Sequence, residues 1–281
     1  MISDGSNDDS ANLKVFYANR DKDHNYELEY GYVNPIAAAY WHLRDELVFD
    51  CILKRFDTLR NPLCVLEIGT GHGHELSKFA SLGISPQSQF GIDLVDERLQ
   101  WAKLIYPLAN FSRQDARKLG FPDNSFDVVF QFTCVMHAPN KIAQQSMCQE
   151  MARVVRPGGL IVWWDVAPQR WRIIIFKRIC QIFSDKIPVR QKLILIKQSM
   201  NELVSQAQRW ETIRKLTPDY ILPISKQDVI GLFPNFTIHA TNVGLDYAIW
   251  KYMFERSPIF AKIFWHIGVL SSNCFAVAEK Q

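Results

Sequence analysis

No run of eighteen apolar residues occurs in this 281-residue chain, so no bilayer-crossing helix is expected from it. Its six cysteines, Cys51, Cys64, Cys134, Cys148, Cys180 and Cys274, include no Cys-x-x-Cys pair. That spacing argues against a zinc ribbon or a dithiol redox motif and leaves reduced core thiols. The chain also carries little net charge, +3. Nucleic-acid binding needs Lys and Arg clustered on one face, so no such partner is expected. Residues Met1 to Ser10 are polar and acidic, the reverse of a secretory signal, and a cytoplasmic location is the expectation. Internal repeats are absent. What remains, with 48% hydrophobic residues, is enough for one large α/β domain with additions.

The most informative stretch is Val65-Leu66-Glu67-Ile68-Gly69-Thr70-Gly71-His72-Gly73-His74-Glu75-Leu76. An apolar strand-like run carries one acid, Glu67, and breaks into three alternating glycines before an amphipathic segment. Glycines permit a tight turn and close backbone approach, and the free amides of a following helix face a ligand. A dinucleotide fingerprint would place its third glycine at position 74, where this chain has His74, so a dehydrogenase is disfavoured. A second strand-like run, Gln89-Phe90-Gly91-Ile92-Asp93, ends in an acid 22 residues after Gly71. A carboxylate there can accept both hydroxyls of a ribose. Asp115 follows a third short strand at Asn110-Phe111-Ser112. Phe121-Pro122-Asp123-Asn124-Ser125-Phe126-Asp127 leads into a fourth, and Arg156-Pro157-Gly158-Gly159 is read as stopping a helix before a fifth strand, Ile161 to Trp164.

This ordered set, over roughly residues 60 to 167, resembles the class I S-adenosylmethionine-dependent methyltransferases of small-molecule type. The resemblance implies a Rossmann-like seven-stranded sheet, mostly parallel with an antiparallel last strand, helices on both faces, and helical lid and cap insertions. Phe236 to Ala240 and Asn273 to Ala278 are the sixth and seventh strands in this reading. S-adenosylmethionine is the implied cofactor. The backbone of Gly69, Thr70, Gly71 and Gly73 would wrap its methionine half, with Glu67 organising the amino end. Asp93 and Leu94 would take the ribose, Asp115 and Ala116 the adenine, and Gln131 would border the site. More loosely, Tyr17, Arg20, Tyr30 and Tyr32 resemble a segment that folds over the cofactor, where an aromatic ring shields the sulfonium and an Arg meets the carboxylate.

The expected organisation is a disordered tail at 1–12, an N-terminal helical lid at 13–60, a cofactor-binding core at 61–167, a helical cap at 168–235, and C-terminal strands with an aromatic insertion at 236–281. The cap contains Arg170-Trp171-Arg172-Ile173-Ile174-Ile175-Phe176-Lys177-Arg178, both apolar and basic. It reads as a helix closing over a hydrophobic acceptor, as a helix on an anionic membrane surface, or as ordinary packing. Tyr30, Trp164, Trp171 and Trp250 are the candidate acceptor-pocket residues.

His137, just past the fourth strand, is the candidate catalytic base, with His42 and His239 as weaker alternatives and Asp165 as a possible acceptor ligand or second base. His72 and His74 form an H-x-H pair, but no cluster of Cys or carboxylates completes a site, and no metal is expected. After the fourth strand stands Gln131-Phe132-Thr133-Cys134 rather than an Asn/Asp-Pro-Pro-Tyr/Phe motif, which disfavours methylation of nucleic-acid bases. The implied acceptor is a small, largely apolar metabolite methylated on oxygen or nitrogen. A sugar or lipid-linked glycan hydroxyl is the alternative, and a non-catalytic partner subunit that keeps the fold is the rival class.

Overall fold

In a computed structural model, residues 15, 17, 31, 33–58, 62–166, 225–245, 247–255, 257–267 and 271–281 are described. The expectations for the tail, for Arg20, Tyr30, Tyr32 and Trp171, and for 168–224 of the cap lie outside the described residues.

Helix α1 (Pro35–Arg55) starts where sequence chemistry dictates. The Asn34 side chain accepts from the Ile36 and Ala37 amides at 2.9 and 3.4 Å, and Pro35 occupies the first turn, where its missing N–H is not needed. The sheet strands are β1 (Val65–Ile68), β2 (Gln89–Asp93), β3 (Asn110–Arg113), β4 (Phe126–Phe132), β5 (Val155–Val166), β6 (Phe236–Leu245) and β7 (Ser271–Lys280). Between them run α2 (His74–Ser77), α3 (Asp96–Ile105), α4 (Lys141–Val154), α5 (Lys226–Leu232), α6 (Tyr247–Phe254) and α7 (Pro258–Ile267). The strands form one seven-stranded sheet in the order β3-β2-β1-β4-β5-β7-β6. The first five are mutually parallel, and β7 runs antiparallel to both β5 and β6. Seven strands with an antiparallel last member are the arrangement the resemblance implied.

All four residues of β1 are buried, as befits a central parallel strand covered on both faces. Alternation along the strands splits the core in two. Val128, Phe130, Leu160, Val162 and Trp164 face a layer containing Tyr40, Leu43 and Ile52 of α1, Leu99 of α3 and Trp265 of α7. Val129, Ile161 and Trp163 face the opposite layer, with Met147, Cys148 and Met151 of α4 and Val229 of α5. Among the described residues, no helix is long and apolar enough to cross a membrane.

Two expectations are corrected here. Helix α4 does not run to the Pro-Gly-Gly stop. It ends at Val154, and β5 begins at Val155 with a register shift opposite Phe126 and Val128. Lys280 at the end of β7 donates from Nζ to the carbonyls of Ala152 and Val155 at 2.7 Å each, satisfying acceptors that the end of the helix leaves open. Among the described residues, Trp164 and Trp250 are both fully buried between layers rather than on the wall of the cavity at the ends of β1 and β4. Trp164 stacks on Trp265 with ring centroids 6.1 Å apart, and Tyr40 meets Trp250 and Trp265 edge-on at 5.8 and 4.6 Å. Trp250 also donates from Nε1 to the Ile36 carbonyl at 2.9 Å. The aromatic insertion therefore clamps α1 to the sheet, because large rings bury most apolar area where two layers meet. Trp163 is equally buried on the other face, against Phe233.

Trp164→Ala is expected to cost about 3–5 kcal/mol of unfolding free energy in urea titration, as deletion of a buried ring does. Trp101→Ala, whose side chain is 56% exposed, should cost less than about 0.5 kcal/mol.

Candidate active site

The strand order reverses between β1 and β4, so the loops leaving their C-terminal ends diverge and open a crevice, the usual ligand site of an open parallel sheet. The glycine loop is built around β2. Gly69 and Thr70 both donate backbone N–H to the Ile92 carbonyl at 2.9 Å. The Gly71 amide donates to Asp93 Oδ2 and the Val95 amide to Asp93 Oδ1, each at 2.9 Å. The central glycine's amide is thus turned inward onto a carboxylate rather than outward to a phosphate, which suits a ligand without a pyrophosphate. Gly69 has φ +74°, and a Cβ built on it would lie 2.5 Å from Cys134 Sγ. The loops after β1 and β4 therefore meet where only glycine fits.

Tyr17, Gly69, Asp93, Leu94, Asp115, Ala116 and His137 line one cavity. Asp115 is held by Arg117, whose Nε lies 3.0 Å from each carboxylate oxygen and whose Nη2 lies 2.6 Å from Oδ2. Partial burial would raise the Asp115 pKa, but the hydrogen bonds from Arg117 outweigh it and keep the carboxyl below its ordinary value. Tyr17 spans the cavity. The Arg98 guanidinium lies 4.1 Å from its ring centroid, and the His137 ring meets it edge-on at 5.8 Å.

Other candidates stand behind that wall. Glu67 is buried and accepts from Thr70 Oγ1 at 2.7 Å. Burial pushes its pKa well above the usual carboxylate value despite that hydrogen bond. Thr70, Gly71 and Gly73 shape the loop without lining this cavity. The Gln131 side chain is corrected from a ligand contact to a structural one: it is fully buried and occupied by Asp165 and by the amides of Cys134 and Val135. Asp165, fully buried beneath it, cannot reach an acceptor. His42 is exposed beside Glu46 on α1, and His239 is exposed on β6 at the edge of the sheet. His74 lies 3.2 Å from the Tyr106 hydroxyl, and among the described residues no group of three or more His, Cys, Asp or Glu could hold a metal ion.

Residues 66–163 match a family described as a methyltransferase domain. That segment is about a third of the chain, and over it the chain is similar to a methyltransferase domain. Over 115 residues it is 34% identical to the 2-methyl-6-phytyl-1,4-hydroquinone methyltransferase of Synechocystis sp., covering 39% of this chain and 34% of that protein. Over 107 residues it is 33% identical to the fatty-acid O-methyltransferase of Mycolicibacterium smegmatis, covering 37% and 38%. The match thus spans little more than a third of the length of these curated relatives. The crystal structure of the PH0226 protein from Pyrococcus horikoshii OT3 shares the fold, with TM-score 0.54 and 15% identity over 92% of this chain and 99% of that one.

Sequence reasoning missed Arg98, Arg117, Thr133 and Cys134 on the cavity wall. Arg98 and Arg117 follow Asp93 and Asp115 by five and two residues, a spacing that could have been noticed. Thr133 has φ +56°, a strained value for a β-branched residue that sequence does not announce. Also missed was Arg44 of α1, 4% exposed, which pairs with Glu75 and with Asp45, while Lys78 reaches Asp45 at 2.8 Å and Glu75 at 2.7 Å. The Arg44 guanidinium also sits 4.6 Å from the ring centroid of Phe132, on the cavity wall. Burial alone would raise the Glu75 pKa, but Arg44 and Lys78 hold it at about 2.

A carboxyl whose folded pKa lies below its unfolded value adds stability above the unfolded value, near 4.3, and loses it as pH falls toward the folded value. The stability advantage of the wild type over Glu75→Gln should therefore shrink by about 3 kcal/mol between about pH 6 and pH 2 in denaturant titrations. Gly69→Ala, which combines positive φ with a clash on Cys134, should cost clearly more than the about 1–2 kcal/mol expected from φ alone. Gly71→Ala, whose Cβ would meet nothing nearer than Arg98 Nη1 at 3.5 Å, should stay within that range.

Proposed function

We propose that the chain transfers the methyl group of S-adenosylmethionine to an oxygen or nitrogen of a small, largely apolar metabolite. The observation that carries this reading is the convergence of Gly69, Asp93 and Asp115 on one cavity wall at the point where the strand order reverses. The acceptor class is supported by Phe132, Ala138, Pro139 and Met147 on the same wall, and by relatives named for a hydroquinone and a fatty acid.

The donor set suits the cofactor. Asp93 keeps acceptor capacity on both oxygens for ribose hydroxyls after the Gly71 and Val95 amides are served. Asp115 offers its carboxylate to the adenine amino group, sharing it with Arg117. Leu94 and Ala116 give that end its apolar walls. The cofactor supplies a methyl group already activated by a sulfonium charge. The remaining task of the chain is binding, alignment and exclusion of water. Tyr17 performs the last of these as a ring across the cavity whose face favours a cation. With a hydroxyl acceptor, the His137 imidazole takes the hydroxyl proton.

The test is thermal stabilisation by S-adenosylmethionine and S-adenosylhomocysteine, with NAD and ATP as controls. A ligand at a hundredfold over its Kd adds about 2.7 kcal/mol. A selective upward shift that Asp93→Ala abolishes is the expected outcome, and equal responses to NAD would refute the reading. His137→Ala should keep the S-adenosylhomocysteine shift and lower turnover of a hydroxyl acceptor by about 10²–10⁴. Unchanged turnover would remove His137 as the base.

A further inference from the structure

The turn that carries His137 is held from inside the sheet. Val135–His137 form a short 3-10 turn after β4, and the first amides of such a turn find no partner within it. Gln131 Oε1 accepts from the Cys134 amide at 2.9 Å and the Val135 amide at 3.2 Å. Its other end, Nε2, donates to Asp165 Oδ2 at 2.9 Å. The Met136 amide faces the same Asp165 carboxyl. Gln131 and Asp165 have no solvent exposure, and they stand on the adjacent strands β4 and β5. Cys134, fixed by this arrangement, is the residue that Gly69 approaches so closely.

We propose that Asp165 is a positioning residue: it locks the orientation of the Gln131 side chain, and Gln131 in turn sets the Thr133–Ala138 wall of the cavity. The inference rests on the reading of that cavity as the cofactor site. A side-chain amide has a donor end and an acceptor end that differ little in shape. With no acceptor at position 165, the amide can rotate and present its NH₂ group to the N–H groups of Cys134 and Val135, which leaves two buried donors unmet. Asp165 supplies the acceptor that makes one orientation far better than the other.

The charge of Asp165 is not what performs this work. No Lys or Arg is among the groups acting on it, and burial pushes its pKa well above the ordinary carboxylate value. Oδ1 lacks a hydrogen bond of ordinary geometry, as does Trp163 Nε1 on the same face of β5. A buried carboxylate left half-solvated in this way is strongly disfavoured relative to the neutral acid. An Asn, with nearly the same shape and no charge, can accept from Gln131 equally well.

The decisive comparison is wild type, Asp165→Asn and Asp165→Ala, read by calorimetric affinity for S-adenosylhomocysteine and by hydrogen exchange of the Cys134, Val135 and Met136 amides, with the β1 amides as internal reference. D165N should stay within about threefold of wild type in both. D165A should bind at least tenfold more weakly and exchange those three amides at least tenfold faster while β1 stays protected. Should D165A not fold, Asp165→Ser, which keeps a polar atom but loses the reach, is read in the same way. Wild-type behaviour of the Ala or Ser variant would overturn the proposal, as would a D165N as impaired as they are. Failure of the wild type to bind S-adenosylhomocysteine would sink the functional reading instead, and the exchange data would still decide the role of Asp165.

Discussion

The loops after β1 and β4 pass each other at Gly69 with no room for a side chain, and the rest of the site depends on that approach. A Cβ at Gly69 would lie 2.5 Å from Cys134 Sγ and 2.8 Å from its Cβ. Because Gly69 and Thr70 are tied to Ile92 and Gly71 to Asp93, moving the loop after β1 would drag the end of β2 with it. The Asp93 carboxylate is therefore held by backbone amides at the sheet's switch point, while Arg117 fixes Asp115 and the buried Gln131 side chain fixes the turn bearing His137. Sites anchored in this way are already shaped before the ligand arrives, which lowers the entropy lost on binding.

Charge is distributed so that the cavity wall and the layers behind it have different characters. Arg44, Lys78, Asp45 and Glu75 form a neutral cluster of two cations and two anions joining α1 to the helix that follows the glycine loop. Next to it Glu67, and across the sheet Asp165, are carboxyls that burial drives toward the neutral form. Cys134 is likewise kept as a thiol by burial, with Asp93 adding to the effect. Asp93 and Asp115, by contrast, stand on the cavity wall among backbone amides and Arg117. Two carboxyls are thus left facing the cavity where a ligand's hydroxyl and amino groups can use them.

The parts of this arrangement that were legible in the sequence are those written in local pattern. The glycine spacing, the acids at the tips of β2 and after β3, and the apolar runs of β1 and β4 are backbone requirements, and each occupies a handful of consecutive residues. The aromatic insertion was misread because Trp164 and Trp250 owe their burial to Tyr40, Trp265 and Phe275, contributed by distant segments. No local pattern distinguishes a ring in a pocket from a ring between layers. Helix α4 ended early for the same reason: the lysine that satisfies its last carbonyls is Lys280, more than a hundred residues away. Arg44 and Gln131 were missed or misassigned because their roles are set by partners across the fold, Glu75 in one case and Asp165 in the other.

A crystal structure of the protein with S-adenosylhomocysteine tests the central claim most directly. The account predicts the ribose hydroxyls on the Asp93 carboxylate, the adenine between Leu94 and Ala116 with its amino group toward Asp115, and the sulfur on the side of the cavity covered by Tyr17 and His137. A ligand bound elsewhere, or one whose ribose makes no contact with Asp93, would contradict it.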